Sequence, residues 1–121
     1  MNDIFSLNEK SKQLLNGFFS VSLDFLCITD EQGIIMKTNP LWETKLGYLI
    51  PELLGKKLID FIHPNDLASL VPAIKKLSAE NESLALTSRL RSKVGSYRVT
   101  HWQFQWVDGL VFSAAKDLTE L

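Results

Sequence analysis

The stretch YRVTHWQFQWVDGLVFSAAKDL, residues 97–118, decides the fold. Apolar and β-branched residues dominate both of its halves, and the Asp-Gly dipeptide that separates them, at 108–109, is typical of a hairpin turn. A third run of the same kind, LALTSRLRSK at 84–93, comes before it, with a Val-Gly turn between the two. The sequence therefore predicts three consecutive antiparallel strands.

Two shorter strand-like runs lie nearer the N-terminus. They are DFLCITD at 24–30 and EQGIIMKTN at 31–39, and the acidic turn between them contains Gly33. Apolar or β-branched runs on both sides of such a turn predict a second hairpin.

Two helices are predicted between the two groups of strands. Asn39 supplies an N-cap side chain and Pro40 suits the first helical position, so the first helix should run from there to Gly47. The second follows the His-Pro-Asn-Asp segment at 63–66 and extends to Ala79. The order of strands and helices predicts an α+β fold in which an antiparallel sheet carries its helices on one face.

The first residues predict a separate lead-in helix. Apolar residues recur there at helical spacing: Ile4, Leu7, Leu14, Leu15 and Phe18. The chain is therefore divided into a lead-in helix, residues 1–18, which caps the sheet or takes part in dimerisation, and a domain from 19 to 121.

Composition limits the function classes. The 121 residues suffice for one domain, with 45% hydrophobic and 22% charged residues and a net charge of -1. Such a balance favours neither a nucleic-acid partner nor a membrane surface, and no segment has the apolar length of a membrane span. The single cysteine, Cys27, cannot form an internal disulfide, and no leader peptide is visible, so a cytoplasmic location is expected.

Four stretches in the same order resemble a PAS domain of the sensory-box type, which occurs in bacterial histidine kinases and diguanylate cyclases. They are CITDEQGIIMKTNPLWETKLGY at 27–48, ELLGKKLIDFIHPND at 52–66, GSYRVTHWQF at 95–104 and GLVFSAAKDLTEL at 109–121. The resemblance covers about residues 19–121. Two positions depart from the family pattern, since Val94 replaces a usual Asp and Ser88 replaces a frequent Asn.

The resemblance implies a five-stranded sheet whose inner face, together with the helices, encloses a ligand cavity. Transferring the family's strand phase gives the inward residues Cys27, Thr29, Leu86, Ser88, Leu90, Thr100, Trp102, Phe104, Val111, Ser113 and Ala115, with Trp42 and Phe61 closing the cavity from the helical side. This lining suits a small, mainly apolar ligand. Alternatively, the large side chains fill the space and the domain docks other proteins without a ligand.

Cofactors can be tested position by position against the family. Flavin-binding light sensors carry a reactive cysteine where this chain has Leu58, and they contact the flavin with amides where it has Leu90, Thr100 and Ala115. Heme-binding members present an axial histidine where this chain has Leu70. Neither a flavin photoadduct nor a histidine-ligated heme is expected, which leaves an unknown small molecule or no ligand.

Metal and catalytic sites are not expected either. His63, His101 and Cys27 are too few and too scattered for a zinc site. His63 should cap a helix or pack, Cys27 should be an inert buried thiol, and Asp66 is a carboxylate favoured at a helix start. A small isomerase or hydrolase would need an inward carboxylate or histidine on the strands, and none is predicted, so the chain should not be an enzyme.

Two sets of residues should lie on the outside of the sheet. Arg89, Arg91, Lys93 and Arg98 surround one hairpin, where they either bind an anion or an acidic partner or form a solvated face or an ion-pair set. An apolar strip is expected at Leu26, Ile28, Leu110, Phe112 and Ala114. Leu14, Leu15 and Phe18 of the lead-in helix could cover this strip in the same chain, or in a second copy within a homodimer.

The resemblance also gives a role to Asp117 and Thr119. In the family, an Asp-x-Thr at the end of the last strand hydrogen-bonds the start of an output helix. The chain is thus expected to be a sensing and dimerisation module that passes its signal through these two residues to an output domain, a kinase or a diguanylate cyclase, outside the 121 residues. Alternatively, the two residues only cap the strand.

Overall fold

A computed structural model describes residues 8–80 and 83–119 of the chain. In this part, five strands form one sheet in the order β2-β1-β5-β4-β3, and all neighbours are antiparallel. The strands are β1 Phe25–Thr29, β2 Ile35–Thr38, β3 Ser83–Arg91, β4 Tyr97–Val107 and β5 Leu110–Asp117. The helices are α1 Glu9–Val21, α2 Leu41–Leu46, α3 Ile50–Leu53 and α4 Leu67–Glu80, with 3-10 turns at Leu58–Phe61 and Pro64–Asp66. The predicted α+β fold with a five-stranded antiparallel sheet is confirmed.

The strand register brings the predicted inward residues to one face. Trp102, in the middle of β4, pairs with Leu86 on β3 and with Ala115 on β5. Because side chains alternate along a strand and directly paired residues point to the same side, these three residues face the helices. Thr100, Trp102 and Phe104 are buried in turn along β4. The alternation predicted from the sequence is confirmed.

The core lies between the helices and this inner face. Trp42 from α2, Leu53 from α3 and Leu70 from α4 are buried in one cluster with Trp102 and Phe104. Full burial of a large apolar side chain contributes about 1.5–3 kcal/mol. Since α2 and α3 are too short to be stable by themselves, this burial rather than helix propensity holds them in place.

Asn39 does not have its predicted role as the side-chain cap of α2. The helix begins at Leu41 and no side chain caps it. Instead, Asn39 is buried, where its Oδ1 accepts from the Leu26 N–H at 3.0 Å and its Nδ2 donates to the Asp24 carbonyl at 2.9 Å. One carboxamide thus satisfies a donor and an acceptor at the start of β1. The predicted end of the helix at Gly47 is confirmed, because Gly47 closes it at a φ of 84°.

The lead-in helix is shifted relative to the prediction. α1 begins after Asn8, whose side chain accepts a hydrogen bond from a backbone N–H of the first turn at 2.8 Å. It ends at Val21, beyond the expected boundary at residue 18. Ile4 and Leu7, expected in the same helix, lie outside the described residues.

The face of α1 that meets the sheet also differs from the expected one. Phe19 is the buried residue of the helix, and the Lys37 ammonium of β2 lies 5.1 Å from the centre of its ring. Leu14 and Phe18 are 58% and 73% exposed, and Leu15 is half-buried. Within the chain, therefore, Leu14 and Phe18 do not cover the sheet. The residue after Phe18 does so, because successive residues point about 100° apart around a helix.

Candidate functional site

His63 is a structural residue. Its Nδ1 accepts a hydrogen bond from the Asn65 N–H at 3.0 Å, and its ring lies 4.7 Å from that of Tyr97. The imidazole therefore both caps a turn and packs, as the sequence predicted.

The residues predicted to surround a ligand lie together on the inner face. The buried ones are Cys27, Thr29, Trp42, Phe61, Ser88, Leu90, Thr100, Trp102, Phe104, Ser113 and Ala115. Leu86 is half-buried. The Trp102 and Phe104 rings stack with centroids 5.3 Å apart, and Trp42 meets Phe25 edge-on at 5.9 Å. Large aromatic side chains thus fill the middle of the inner face.

Two hydroxyl groups of this face, those of Thr100 and Ser113, already bond to the protein. Thr100 donates to the Ser88 carbonyl at 2.8 Å and accepts from the Trp102 indole N–H at 2.8 Å. Ser113 donates to the Cys27 carbonyl at 2.9 Å. The Ser88 hydroxyl, by contrast, is buried without a hydrogen-bond partner among the described residues. A buried hydroxyl without a partner costs about 1–3 kcal/mol of folding free energy. The Ser88 hydroxyl is therefore able to bond to a further partner.

Cys27 is an unreactive thiol. Burial raises its pKa from 9.0 to about 12, and the opposing hydrogen bond with Ser113 is the weaker influence. The thiolate, which is the nucleophile, is therefore scarce at neutral pH. This agrees with the inert role that the sequence indicated.

A cavity of about 320 Å³, called here the end cavity, opens at the end of the sheet beside the β1–β2 turn. Its apolar lining comes from the sheet, the first 3-10 turn and α4: Phe104, Trp106, Val111, Leu58, Ile59, Val71 and Ile74. Thr29 contributes a hydroxyl, and the rim carries Asp30, Glu31, Gln32, Gly33, Lys57 and Lys75. Of the residues predicted to face a ligand, Thr29, Phe104 and Val111 line this cavity.

Sequence reasoning missed the rest of this lining. Helical spacing indicates that Val71 and Ile74 face the core, but not whether the core leaves room beside them. A space of this kind results from the sizes of side chains on several elements at once, which no local pattern reports.

A second cavity, of about 570 Å³, lies on the opposite face of the sheet and is called here the outer groove. Its lining includes Phe19, Leu26, Ile28, Leu84, Ala85, Gln103, Gln105, Phe112 and Ala114. Four residues of the predicted apolar strip are among them, whereas Leu110 is half-buried outside the lining. Phe19 shows that α1 borders the groove without filling it.

Asp117 and Thr119 hold the end of β5 against β4 and α2. Asp117 Oδ2 accepts from Arg98 Nη1 at 2.7 Å and lies 3.9 Å from Lys45 Nζ. Asp117 Oδ1 accepts from the Thr119 N–H at 2.9 Å, and the Thr119 hydroxyl accepts from the Val99 N–H at 2.7 Å. The Asp117 side chain is 4% exposed, so solvent screens these contacts far less than those of a surface ion pair.

The basic residues of the β3–β4 hairpin have partners as well. Arg89 and Asp66 form a two-point ion pair, at 2.9 Å from Nη2 to Oδ1 and 3.2 Å from Nε to Oδ2. Arg91 donates to a backbone carbonyl of the first 3-10 turn at 2.8 Å, and Lys93 pairs with Glu52. Arg89 and Lys93 thus form ion pairs within the chain, which agrees with one of the predicted alternatives, whereas the Arg91 contact is to an uncharged carbonyl.

Asp66 has a second role that the sequence did not reveal. Besides preceding α4, its Oδ2 accepts from the Arg89 backbone N–H at 2.7 Å. Hydrogen bonds from the Arg89 side chain hold the pKa of Asp66 below its usual 3.8, and the same contact raises the pKa of Arg89. The carboxylate thereby ties the start of α4 to the edge strand β3.

Metal-ligand groups and membrane-spanning helices are both absent from residues 8–80 and 83–119. In this part of the chain, no three histidine, cysteine or acidic side chains form a group that could hold a metal ion. No helix there has both the length and the apolar character needed to span a bilayer.

Solved PAS domains have the same fold. A PAS domain from Colwellia psychrerythraea superposes with a TM-score of 0.80 at 17% identity, over 91% of this chain and 98% of that one. A domain of a sensory box sensor histidine kinase/response regulator from Geobacter sulfurreducens gives 0.75 at 18% identity, over 88% and 93%. The PAS domain of the Cronobacter turicensis RpfR quorum-sensing receptor, in complex with BDSF, gives 0.73 at 18% identity, over 83% and 98%. At these identities the likeness shows the fold alone.

Sequence comparison identifies the family. The White collar 2 protein of Neurospora crassa is 31% identical over 93 residues, which make up 77% of this chain but 17% of that protein. The chain thus spans only a small part of this relative's length. A family model described as PAS fold matches residues 13–107, which is most of the chain. The chain therefore belongs to the PAS family, the sensory domains of signalling proteins.

Proposed function

We propose that this PAS domain is the non-enzymatic sensing and dimerisation module of a bacterial, cytoplasmic signalling protein. It binds a small, mainly apolar molecule and passes the bound state through Asp117 and Thr119 to an output domain, a histidine kinase or a diguanylate cyclase. Two structural neighbours support the proposal: one is a domain of a sensor histidine kinase, and the other is a receptor domain with a bound small molecule.

The observation that carries the proposal is the contact of Asp117 with both layers of the domain. Lys45 belongs to α2, in the helical layer, and Arg98 belongs to β4, in the sheet. A ligand that moves the helices relative to the sheet changes the distance from Lys45 to Asp117. Because this carboxylate also holds Thr119, such a change favours one of two positions of residues 117–119, called here the connector.

The C-terminal end of α2 is also bonded to the β3–β4 hairpin. The Leu46 carbonyl accepts from the Lys93 N–H at 2.9 Å, and the Tyr48 hydroxyl donates to the Arg91 carbonyl at 2.8 Å. These bonds support a coupled movement of the helical layer and the hairpin. Since β4 carries Arg98 and Val99, that movement reaches both residues that hold the connector.

The proposed ligand contacts divide into two groups. Thr29, Phe104 and Val111 touch the ligand directly, because they line the end cavity. The remaining inward residues of the predicted set form the packed wall behind it. Trp42 and Phe61 belong to the helical layer, and Leu86, Ser88 and Trp102 to the sheet. A change in the packing of this wall is the proposed first step of the signal.

The proposed dimer is built from α1 and the outer groove. Leu14, Phe18 and Val21 are 58%, 73% and 74% exposed, and their spacing places them along one stripe of the helix. Two copies related by a two-fold axis bury each other's stripe in the outer groove, which provides the apolar residues Leu26 and Phe112 as partners. The dimer thus removes two apolar surfaces from water with one contact.

A second candidate function is protein docking without a ligand. The stacked rings of Trp102 and Phe104 favour it, because they occupy the middle of the inner face, where the resemblance implied a cavity. In this alternative the end cavity stays solvated, and the outer groove is the functional surface.

Native mass spectrometry of the gently purified domain tests the proposal. We expect a dimer that retains a small molecule, released on unfolding. A dimer without such a molecule favours the docking function. A monomer without one contradicts both the sensing and the dimerisation parts of the proposal.

A further inference from the structure

We infer that the ligand of this domain is an uncharged, mainly apolar small molecule that lies in the end cavity with one hydrogen-bonding group at the Thr29 hydroxyl. The inference rests on the proposed sensing function and adds the place and the chemical class of the ligand. Three properties of the end cavity support it: its apolar walls, the Thr29 side chain in its lining and the charges of its rim.

The walls are apolar on opposite sides. Phe104 and Val111 lie on the sheet side, and Val71 and Ile74 of α4 lie on the other, with Trp106 at one end. A volume of about 320 Å³ matches a small-molecule site at the lower end of the usual size range. A ligand between these walls gains mainly from the removal of apolar surface from water.

The Thr29 hydroxyl gives the cavity its polar point. Thr29 is 4% exposed and lines the cavity, and no described residue hydrogen-bonds to its side chain. A hydroxyl that borders an apolar cavity without a protein partner gains from a partner that a ligand brings. Its hydrogen can rotate, so it can donate to a ligand carbonyl or accept from a ligand hydroxyl.

The charged groups of the rim balance one another. Asp30 and Glu31 face the opening together with Lys57 and Lys75, which makes two charges of each sign. Moreover, Asp30 Oδ1 is engaged by two backbone N–H groups of its own turn, at 2.8 and 3.0 Å. An ionic ligand would lose its hydration in the apolar interior without a dedicated counter-charge. The site therefore selects uncharged molecules.

Three eight-carbon probes, one with a neutral, one with an anionic and one with a cationic polar group, test whether the ligand is uncharged. The purified domain, freed of any retained molecule, is titrated with 1-octanol, octanoate and octylammonium at neutral pH in a calorimeter. We expect 1-octanol to bind at least about tenfold more tightly than either ion, since only the ions lose ionic hydration. Binding of either ion as tight as that of 1-octanol would overturn the class.

Paired variants test the place. Val71→Trp fills the end cavity, whereas Ala85→Trp puts the same side chain into the outer groove. We expect the first variant to lower the affinity for 1-octanol at least about tenfold and the second to leave it unchanged. The opposite pattern would move the ligand to the outer groove.

Thr29→Val keeps the shape of the side chain and removes the hydroxyl. It therefore tests whether the ligand lies in the end cavity even if Val71→Trp does not fold. Loss of one neutral hydrogen bond should weaken 1-octanol binding about two- to tenfold. Unchanged affinity contradicts the role of Thr29. Native mass spectrometry separates this inference from the proposed function. If wild type and Val71→Trp retain the same amount of a molecule, the end cavity is not its site, but ligand sensing still stands. If neither protein retains a molecule, ligand sensing itself is contradicted.

Discussion

Thr119 and Val99 join the end of β5 to β4. The Val99 N–H donates to the Thr119 hydroxyl at 2.7 Å, and the Val99 carbonyl accepts from the N–H of Leu118 at 2.8 Å. A side chain thereby continues the pairing of the two strands beyond Asp117. Because Thr119 is exposed, this bond can be removed without opening the core.

Replacement of Thr119 should loosen the connector and leave the domain folded. In Thr119→Val the acceptor is lost, so we expect the Val99 amide to exchange with deuterium about five- to tenfold faster, and the free energy of unfolding to fall by less than about 1 kcal/mol. Thr119→Ser keeps the hydroxyl and is the matched control. Exchange at Val99 that is equally slow in all three proteins would show that the bond does not hold the connector.

The Asp66–Arg89 ion pair should make stability depend on pH. Since the pKa of Asp66 is lower in the folded chain than its usual 3.8, the carboxylate stabilises the fold above about 3.8, and this contribution is lost as the pH falls through the folded value. We expect Asp66→Asn to lower the free energy of unfolding at neutral pH by about 1 kcal/mol, an amount reduced by the partial exposure of Arg89.

The matched control for this variant is Asp60→Asn, since the contact of Asp60 with Arg91 uses its backbone carbonyl, which the substitution retains. Urea unfolding at several pH values gives the comparison. The gap between wild type and Asp66→Asn should close in strong acid, where both side chains are neutral. A gap that stays constant with pH would mean that the loss comes from packing and not from charge.

Asn39 should be among the most sensitive polar positions. Asn39→Ala leaves the Leu26 N–H and the Asp24 carbonyl without their side-chain partner in a buried place, so we expect a loss of about 2–3 kcal/mol in unfolding free energy. Asn39→Asp retains the acceptor for Leu26 but places a buried carboxylate oxygen opposite the Asp24 carbonyl, so at neutral pH it should destabilise the fold at least as much as Asn39→Ala. Asn65→Ala, at an exposed position in the second 3-10 turn, is the control and should change stability by at most about 0.5 kcal/mol. Equal effects at the two asparagines would contradict the bridging role.

The dimer proposal depends on the exposed stripe of α1. Phe18→Glu places a charge in its centre, and we expect the dimer dissociation constant to rise at least about tenfold in sedimentation velocity, because the charge would be buried in the outer groove. Unfolding of the isolated domain should hardly change, since Phe18 is 73% exposed. Gln13→Glu adds the same charge on another face and should have little effect. If both variants dimerise like wild type, the stripe is not the interface.

The features predicted best from the sequence are those that follow from the two-residue alternation of side chains along a strand. Thr100, Trp102 and Phe104 had to share a face because side chains alternate along any strand, whatever lies against them. The choice between Phe18 and Phe19 as the buried residue of α1 was not predictable in this way. A rotation of the helix by about 100° exchanges the two, and the shape of the surface beneath decides which of them is buried.

Two further differences have separate physical causes. Asn39 precedes a proline, which favours its interpretation as a helix cap. The same carboxamide can also bond to backbone groups of a strand that have no other hydrogen-bond partner. Only the folded chain shows which backbone groups need it. The inner-face residues were predicted to surround a ligand, and they are buried as expected. Whether buried side chains leave a space depends on their sizes and rotamers together, so the end cavity beside Val71 and Ile74 could not be read from spacing.

If Thr119 and Asp117 carry the signal, as we propose, the output activity of the complete signalling protein depends on the bond that Thr119 makes to Val99. The activity of Thr119→Val is compared with that of Thr119→Ser and wild type, with and without the small molecule that the wild-type domain retains. The account predicts that Thr119→Val still binds the molecule and still dimerises, while its output no longer responds, and that Thr119→Ser responds normally. An output of Thr119→Val that responds as fully as that of wild type would contradict the account.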